Sequence, residues 1–284
     1  MKYSPTYDAE IAANSKLIEC RQLVAGHFSS AEVDVVVEKE LLIYINREHL
    51  ATASITPNME NEFVTGYLFG QGFIDKIDDL KSLKIEDAVA RATVKNNRTL
   101  SKRARHTSYR IVSGGGRTAF VDETELPEIT SNIHVSRETV YQAMNYLFEN
   151  ASIYRETEGV HAAGLFNTDA SPICIAEDIG RHNTIDKVIG YILIQGIDTS
   201  RTLLVSTGRM SSEMVMKICR AGIPIAATKT AVTDKGLEIS RQCRLTIAGF
   251  VRDAGTKIHT DMDVRIIDKS GMKIYTHDKR IVWE

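Results

Sequence analysis

Four short apolar runs in the second half of the chain, alternating with segments of helical spacing, restrict the fold more than any other feature. The runs are 173–177 (ICIAE), 202–207 (TLLVST), 224–228 (PIAAT) and 245–250 (LTIAGF), with helical patterns at about 183–195, 211–221 and 234–243. Repeated β-α-β units predict an α/β fold built on a largely parallel sheet with right-handed crossovers. Ligands of such sheets bind beyond the carboxyl ends of the strands. That edge is expected to carry Asp178, Gly180, Arg181, His182 and Asn183, then Thr207, Gly208, Arg209 and Ser211. It continues through Thr228 to Thr230 and into Phe250, Val251, Arg252, Asp253, Ala254 and Gly255.

The stretch ICIAEDIGRHNTIDKVIGYILIQ (173–195) reads as strand, polar turn and amphipathic helix, and its turn holds more charge than a connector needs. Helix N-termini with Arg and Ser nearby make a cradle for phosphate or pyrophosphate. The competing structural reading is an internal salt-bridge network of Asp178, Arg181 and Glu213. His182, between Arg181 and Asn183, is a stronger site candidate than His161, for which a core and a site role stand about even. Met214 and Met216 read as packing residues.

The first half is less regular. Helical composition at 9–26 predicts an N-terminal helical arm over residues 1–30. The β-rich runs VDVVVE, LLIYIN and HLATAS, within 33–54, predict a meander. Thr56-Pro57 ends it, and 58–72 follows as a helix with Phe63, Val64, Tyr67 and Leu68 on one face. Residues 82–94 and 107–113 read as strands, or as a strand and a helix. The basic residues Arg98, Lys102, Arg103 and Arg105 form either a solvated segment or a phosphate-contacting rim. Ser113 to Thr118 (SGGGRT) is a glycine-rich loop without the P-loop spacing. Residues 121–132 read as a linker, and Ser136 as the N-cap of a helix reaching Asn150. The chain thus divides into the arm, a smaller β-rich α+β domain over 31–130, and an α/β domain over 131–284 with a C-terminal hairpin.

Composition narrows the function. A formal net charge of −2 gives no general attraction to nucleic acid or anionic membranes. The start MKYSPTYDAE has no apolar signal region and no run is long enough to span a bilayer, so a cytoplasmic location is expected. The cysteines, Cys20, Cys174, Cys219 and Cys243, form no CxxC and no zinc-ligand spacing. Cys174 and Cys219 sit among apolar residues and read as small buried side chains, Cys243 flanks Arg244, and Cys20 could be accessible.

Several motifs resemble those of the formate dehydrogenase accessory protein FdhD family, a group of sulfur carrier proteins. The family pattern ED-x-GRHN-x-x-DK-x-x-G is met by Glu177-Asp178-Ile179-Gly180-Arg181-His182-Asn183, Asp186-Lys187 and Gly190. The later S/T-GR-x-S-x-EM-x-x-K is met by Thr207-Gly208-Arg209, Ser211, Glu213-Met214 and Lys217. Gly249-Phe250-Val251-Arg252, Thr56-Pro57, the GYLFGQGFI run and TEGVHAAG add further matches, the last with Glu158 in place of a glycine. The resemblance spans residues about 35–268. It implies a cytidine-deaminase-like three-layer fold for the second half and a homodimer. It implies a sulfurtransferase that takes sulfur from a cysteine desulfurase and passes it to the molybdenum bis(molybdopterin guanine dinucleotide) cofactor of formate dehydrogenase, with no metal of its own. By the same carry-over, the domain over 131–284 is the cofactor-binding one, and Phe250 to Gly255 correspond to the cofactor-binding segment. Arg181, Arg209 and Arg252 would then bind phosphate or guanine-nucleotide groups, and His182 and Asp186 would orient the turn or handle protons.

In one loop the chain departs from the family. Gly115 and Thr118 stand where the two loop cysteines would be, and neither residue can hold a sulfane sulfur. A cofactor-binding chaperone without sulfur relay is therefore a second expectation. A zinc deaminase needs a Glu near its histidine ligand and a cysteine pair, and neither stands near His161 or Gly208. At the C-terminus, Lys257-Ile258-His259-Thr260 and Lys273-Ile274-Tyr275-Thr276 are near-copies, with Lys269-Ser270-Gly271 between them read as a hairpin turn.

Overall fold

Where a helical arm is expected from composition, the chain forms a hairpin. The computed structural model describes residues 14–95, 109–111, 126–252, 257–260, 263–266 and 271–283. Strands β1 (Ser15–Val24) and β2 (His27–Val36) pair antiparallel in full register. Their link is Ala25 and Gly26, both at positive φ (50° and 85°), the backbone that a two-residue hairpin turn of right-handed twist requires. Ile18, Val24, Val33 and Val35 suit strands better than helix, which outweighs the weak local helical signal.

The expected meander is also rearranged, because most of the VDVVVE run belongs to β2. β3 (Lys39–Ile45) and β4 (Glu48–Ile55) form a second hairpin through Asn46 and Arg47, again at positive φ. Helix α1 (Glu60–Gly70) follows, then β5 (Leu80–Glu86), β6 (Val89–Val94) and β7 (Tyr109–Ile111). The sheet order is β5-β6-β3-β4-β7, with β3–β6 and β4–β7 parallel. The basic run 98–105 and the glycine-rich loop with Gly115 and Thr118 lie outside the described residues.

The second half continues with β8 (Val135–Ser136), α2 (Arg137–Asn150), α3 (Ser152–Thr157), β9 (His161–Asn167) and β10 (Pro172–Asp178). Helix α4 (Arg181–Gln195), β11 (Thr202–Ser206), α5 (Ser212–Arg220), β12 (Ile225–Thr228) and α6 (Asp234–Gln242) follow. The chain closes with β13 (Thr246–Arg252), β14 (Lys257–Thr260), β15 (Asp263–Ile266), β16 (Gly271–Thr276) and β17 (Ile281–Val282). Ser136 caps α2 as expected, accepting from the Thr139 N–H.

The central sheet has the order β10-β9-β11-β12-β13-β16 and is mixed rather than largely parallel. Only β11–β12 and β12–β13 are parallel, while β9 runs antiparallel to both of its neighbours and β16 antiparallel to β13. Because β9 reverses direction against β10 and again against β11, β10 through β13 all still point the same way. Their carboxyl ends share one edge. The C-terminal near-copies do not pair as one hairpin: Lys257–Thr260 pairs with Asp263–Ile266, whereas Lys273, Ile274 and Thr276 join β13. The second copy is taken up by an open sheet edge, which satisfies its backbone groups better than an isolated ribbon does.

Strand alternation sorts the core onto the two faces of this sheet. Leu203, Val205, Ile225 and Ala248 pack with Val140, Met144 and Leu147 of α2. Leu165, Leu204, Ala226 and Ile247 face α4, α5 and α6 in a cluster that extends without a break to Leu41, Ile43 and Phe63 of the first half. Helix α1 is buried from Phe63 through Gly70 rather than on one face, because it lies between the five-stranded sheet and α4. Its approach to α4 is backbone against backbone. A Cβ on Gly66 would sit 1.8 Å from the Asp186 carbonyl oxygen, and one on Gly190 1.8 Å from that of Glu62. Among the described residues no helix is long and apolar enough to cross a membrane.

Candidate functional site

The shared edge begins in the turn after β10, which is held from beneath. Glu177 accepts from the Ile153 and Tyr154 N–H groups at 3.2 and 2.6 Å, satisfying the buried amino end of α3. Asp178 has no solvent exposure and accepts from the N–H groups of Thr56 (3.1 Å) and Gly180 (2.8 Å) and from Asn183 Nδ2 (2.7 Å). Its Oδ2 also meets Lys187 Nζ at 2.7 Å. Asp178 and Asn183 thus point inward and shape the turn, leaving Arg181 and His182 partly exposed on its outer side.

The ion pairs differ from the network drawn from sequence. Asp178 pairs with Lys187, Glu213 with His182 and Asp186 with Lys217, and Arg181 is in none of these three. Helical geometry explains the difference: the carboxylate at the end of β10 faces back into the core, toward the inner face of α4 where Lys187 lies. Burial pushes Asp186 above the usual carboxylate range, and Lys217 at 2.6 Å opposes the shift.

Arg181 lies over the next turn. A Cβ on Gly208 would come within 2.8 Å of Arg181 Cβ, so the glycine leaves room for the arginine stem. Among the described residues Arg181 Nε has no hydrogen-bond partner, and it is buried. Partial burial lowers the Arg181 pKa, and repulsion from Arg209 lowers it further. Two guanidinium groups are therefore held close, an arrangement that an anion would relieve. Arg209 itself is exposed. Ser211 Oγ lies 3.1 Å from His182 Nε2, and His182 Nδ1 lies 3.1 Å from Glu213 Oε2.

The next segments are tied on by short bonds. Thr207 accepts from the Ala162 N–H at 3.0 Å and lies 3.3 Å from His161 Nδ1. Thr228 Oγ1 donates to the Gly208 carbonyl at 2.7 Å, and the Phe250 N–H donates to the Thr230 carbonyl at 2.9 Å. Phe250 adopts φ 53°, an uncommon backbone for an aromatic residue, where β13 bulges against β16. Its ring meets Lys273 Nζ at 4.7 Å and Arg252 Cζ at 6.0 Å. Among the described residues Arg252 Nε is likewise buried without a hydrogen-bond partner, as is Arg220 Nε at the other end of α5, and Val251 is buried in the core. Burial lowers the Lys229 pKa, with Arg252 adding repulsion. Asp253, Ala254 and Gly255 lie outside the described residues. Among the described residues no group of three or more His, Cys, Asp or Glu is placed to hold a metal ion.

The model of the FdhD/NarQ family matches residues 36–282. The chain belongs to the FdhD/NarQ family. The sulfur carrier protein FdhD of Sulfurisphaera tokodaii is 31% identical over 265 residues, covering 91% of this chain and 96% of that protein. That of Methanothermobacter thermautotrophicus is 30% identical over 248 residues, covering 87% and 91%. A crystal structure from Desulfotalea psychrophila, assigned as a formate dehydrogenase accessory protein, matches with a TM-score of 0.73 at 21% identity. It covers 95% of this chain and 100% of that one, and shows a shared fold.

Three members of the edge in this FdhD/NarQ chain lie within matched motifs, but their place there is set by partners distant in sequence. His161 arrives as the first residue of β9, opposite Asp178, because β9 runs antiparallel. Lys187 enters beneath the turn, and Thr56 reaches it from the first half: its N–H donates to Asp178, and its hydroxyl accepts from the Ile179 N–H at 3.2 Å. The TEGVHAAG, Asp186-Lys187 and Thr56-Pro57 matches were the available hints.

Proposed function

We propose that the chain is an FdhD-type accessory protein of formate dehydrogenase, a sulfur carrier acting on the molybdenum bis(molybdopterin guanine dinucleotide) cofactor before insertion. A cysteine desulfurase supplies the sulfur as a persulfide. The observation that carries the cofactor part is the pair of buried, unpartnered guanidinium nitrogens of Arg181 and Arg252 on one sheet edge. Buried donors without acceptors are costly, and a phosphate or pyrophosphate oxygen satisfies them. Phe250, flanked by Lys273 and Arg252, offers a flat face for a base. Thr207, Gly208 and Ser211 follow β11 on the same edge. The same reading carries a homodimer in the cytoplasm and a cytidine-deaminase-like arrangement of the central sheet.

The sulfur part rests on the relatives, since Gly115 and Thr118 offer no thiol. Cys219 and Cys243 are buried, and burial pushes the Cys174 thiol up to about 12. Cys20, on β1 of the hairpin, is partly exposed. Incubation with a cysteine desulfurase and cysteine, read by intact mass, is expected to add sulfur to this chain. Calorimetry with GDP is expected to show binding that weakens in Arg252→Ala. Binding without added sulfur would mark a cofactor chaperone in place of a carrier, and neither would sink the reading.

A further inference from the structure

Ser211 stands at the N-cap of α5 with extended backbone (φ −81°, ψ 167°), yet its side chain does not cap the helix. Ser136 and Thr233, in the same position on α2 and α6, accept from the N–H groups of Thr139 and Gly236. The Ser211 hydroxyl instead meets His182 Nε2 at 3.1 Å, and the opposite ring nitrogen meets Glu213 Oε2 at 3.1 Å. Hydroxyl, imidazole and carboxylate stand in the order that activates a serine for nucleophilic attack.

The protonation states agree with that order. The hydrogen bond from His182 draws the Glu213 carboxyl below its usual range; burial opposes this, and Lys217 and Arg181 add to it. An ionised carboxylate only accepts, so Nδ1 is the nitrogen that donates to Glu213, and Nε2 is the one that faces the Ser211 hydroxyl. Ser211 is partly exposed, as are His182 and Glu213 at 15% and 22%. Arg181 packs over Gly208 and is repelled by Arg209, so both guanidinium groups belong to the segment 208–211 that carries the hydroxyl. An electrophile drawn to this point carries negative charge.

We infer that Ser211 is a nucleophilic serine, with His182 as its general base and Glu213 as a positioning residue, directed at a phosphoanhydride held by Arg181 and Arg209. In the step, an Oγ–P bond forms and the P–O bond to the leaving phosphate breaks. The hydroxyl proton passes to His182 Nε2 and from there to the leaving oxygen. No oxidant or reductant takes part. The inference rests on the phosphate-binding role proposed for Arg181 but not on sulfur transfer, since a chain that carries no persulfide still has this serine.

The test uses the full chain with a fluorophosphonate probe, which forms the same Oγ–P bond and expels fluoride, and with the p-nitrophenyl ester of a nucleoside monophosphate. One adduct mapped to Ser211 is expected, together with p-nitrophenolate release. Both rates should fall about 100-fold or more in His182→Gln, and less in Glu213→Gln, where the ring keeps its place but loses its fixed tautomer. Thermal melting confirms that the variants are folded. No adduct on Ser211, or labelling equally fast in His182→Gln, overturns the inference. Labelling without phosphate release from GDP, which carries the P–O–P bond that the ester lacks, overturns the phosphoanhydride assignment.

Discussion

Asp178 Oδ2 and Lys187 Nζ lie 2.7 Å apart with neither side chain exposed to solvent. The ammonium also donates to the Thr56 carbonyl (3.1 Å), Asn58 Oδ1 (2.7 Å) and the Glu177 carbonyl (2.9 Å). One cation therefore ties the segment after β4 to the turn that presents Arg181 and His182. Burial lowers the Lys187 pKa and Asp178 pulls it back, so the pair is stable only as a pair.

Lys187→Met should lower the unfolding free energy by about 3–5 kcal/mol, because it leaves Asp178 buried and uncompensated. Adding Asp178→Asn should recover part of that loss. Urea denaturation of the two single variants and the double variant measures this. A loss below about 1 kcal/mol for Lys187→Met would mean that the site does not depend on the pair.

The contact between α1 and α4 predicts a second, unrelated loss. Gly190→Ala places a methyl where the Glu62 carbonyl oxygen stands, 1.8 Å from the new carbon. Backbone must move, at a cost of about 3 kcal/mol or more. A thermal melt unchanged from that of the parent would contradict the close approach.

Gly208→Ala tests the site more gently. Its methyl presses on the Arg181 stem at 2.8 Å, so the guanidinium should shift while the core stays intact. GDP affinity measured by calorimetry should fall about tenfold, the scale of one charged hydrogen bond, and Arg181→Ala should fall at least as far. Unaltered affinity in both would remove Arg181 from the anion site.

The pH dependence of stability should carry a mark of His161. Burial and the nearby Arg181 and His182 disfavour its imidazolium, against the attraction of Asp178, so its folded pKa lies below the ordinary 6.5. Below 6.5 the unfolded chain then binds more protons than the folded one, and stability falls with falling pH. Above 6.5 the contribution is constant. His161→Gln should flatten that part of the curve, as read by denaturation at a series of pH values, and an unchanged slope would count against it.

Local pattern alone determined the second half of the chain well. The strands ending at Asp178, Ser206, Thr228 and Arg252, the helices between them and the Ser136 cap all follow from period and end signals over a few residues. These signals place Arg181 and Arg209 beyond strand ends and Arg252 at one, which is why the edge could be read without coordinates. Tertiary structure decided what depends on partners distant in sequence. The inserted β9 turned a parallel sheet into a mixed one and brought His161 to the edge. The Ala25-Gly26 turn converted a helical composition into a hairpin, since pairing across a two-residue turn outweighs weak helical propensity. The assignment of Asp178 to Lys187 and of Glu213 to His182 likewise lay beyond the sequence. Neighbouring charges offer many pairings, and only the packing of α4 between the sheet, α1 and α5 fixes which carboxylate is buried against which cation.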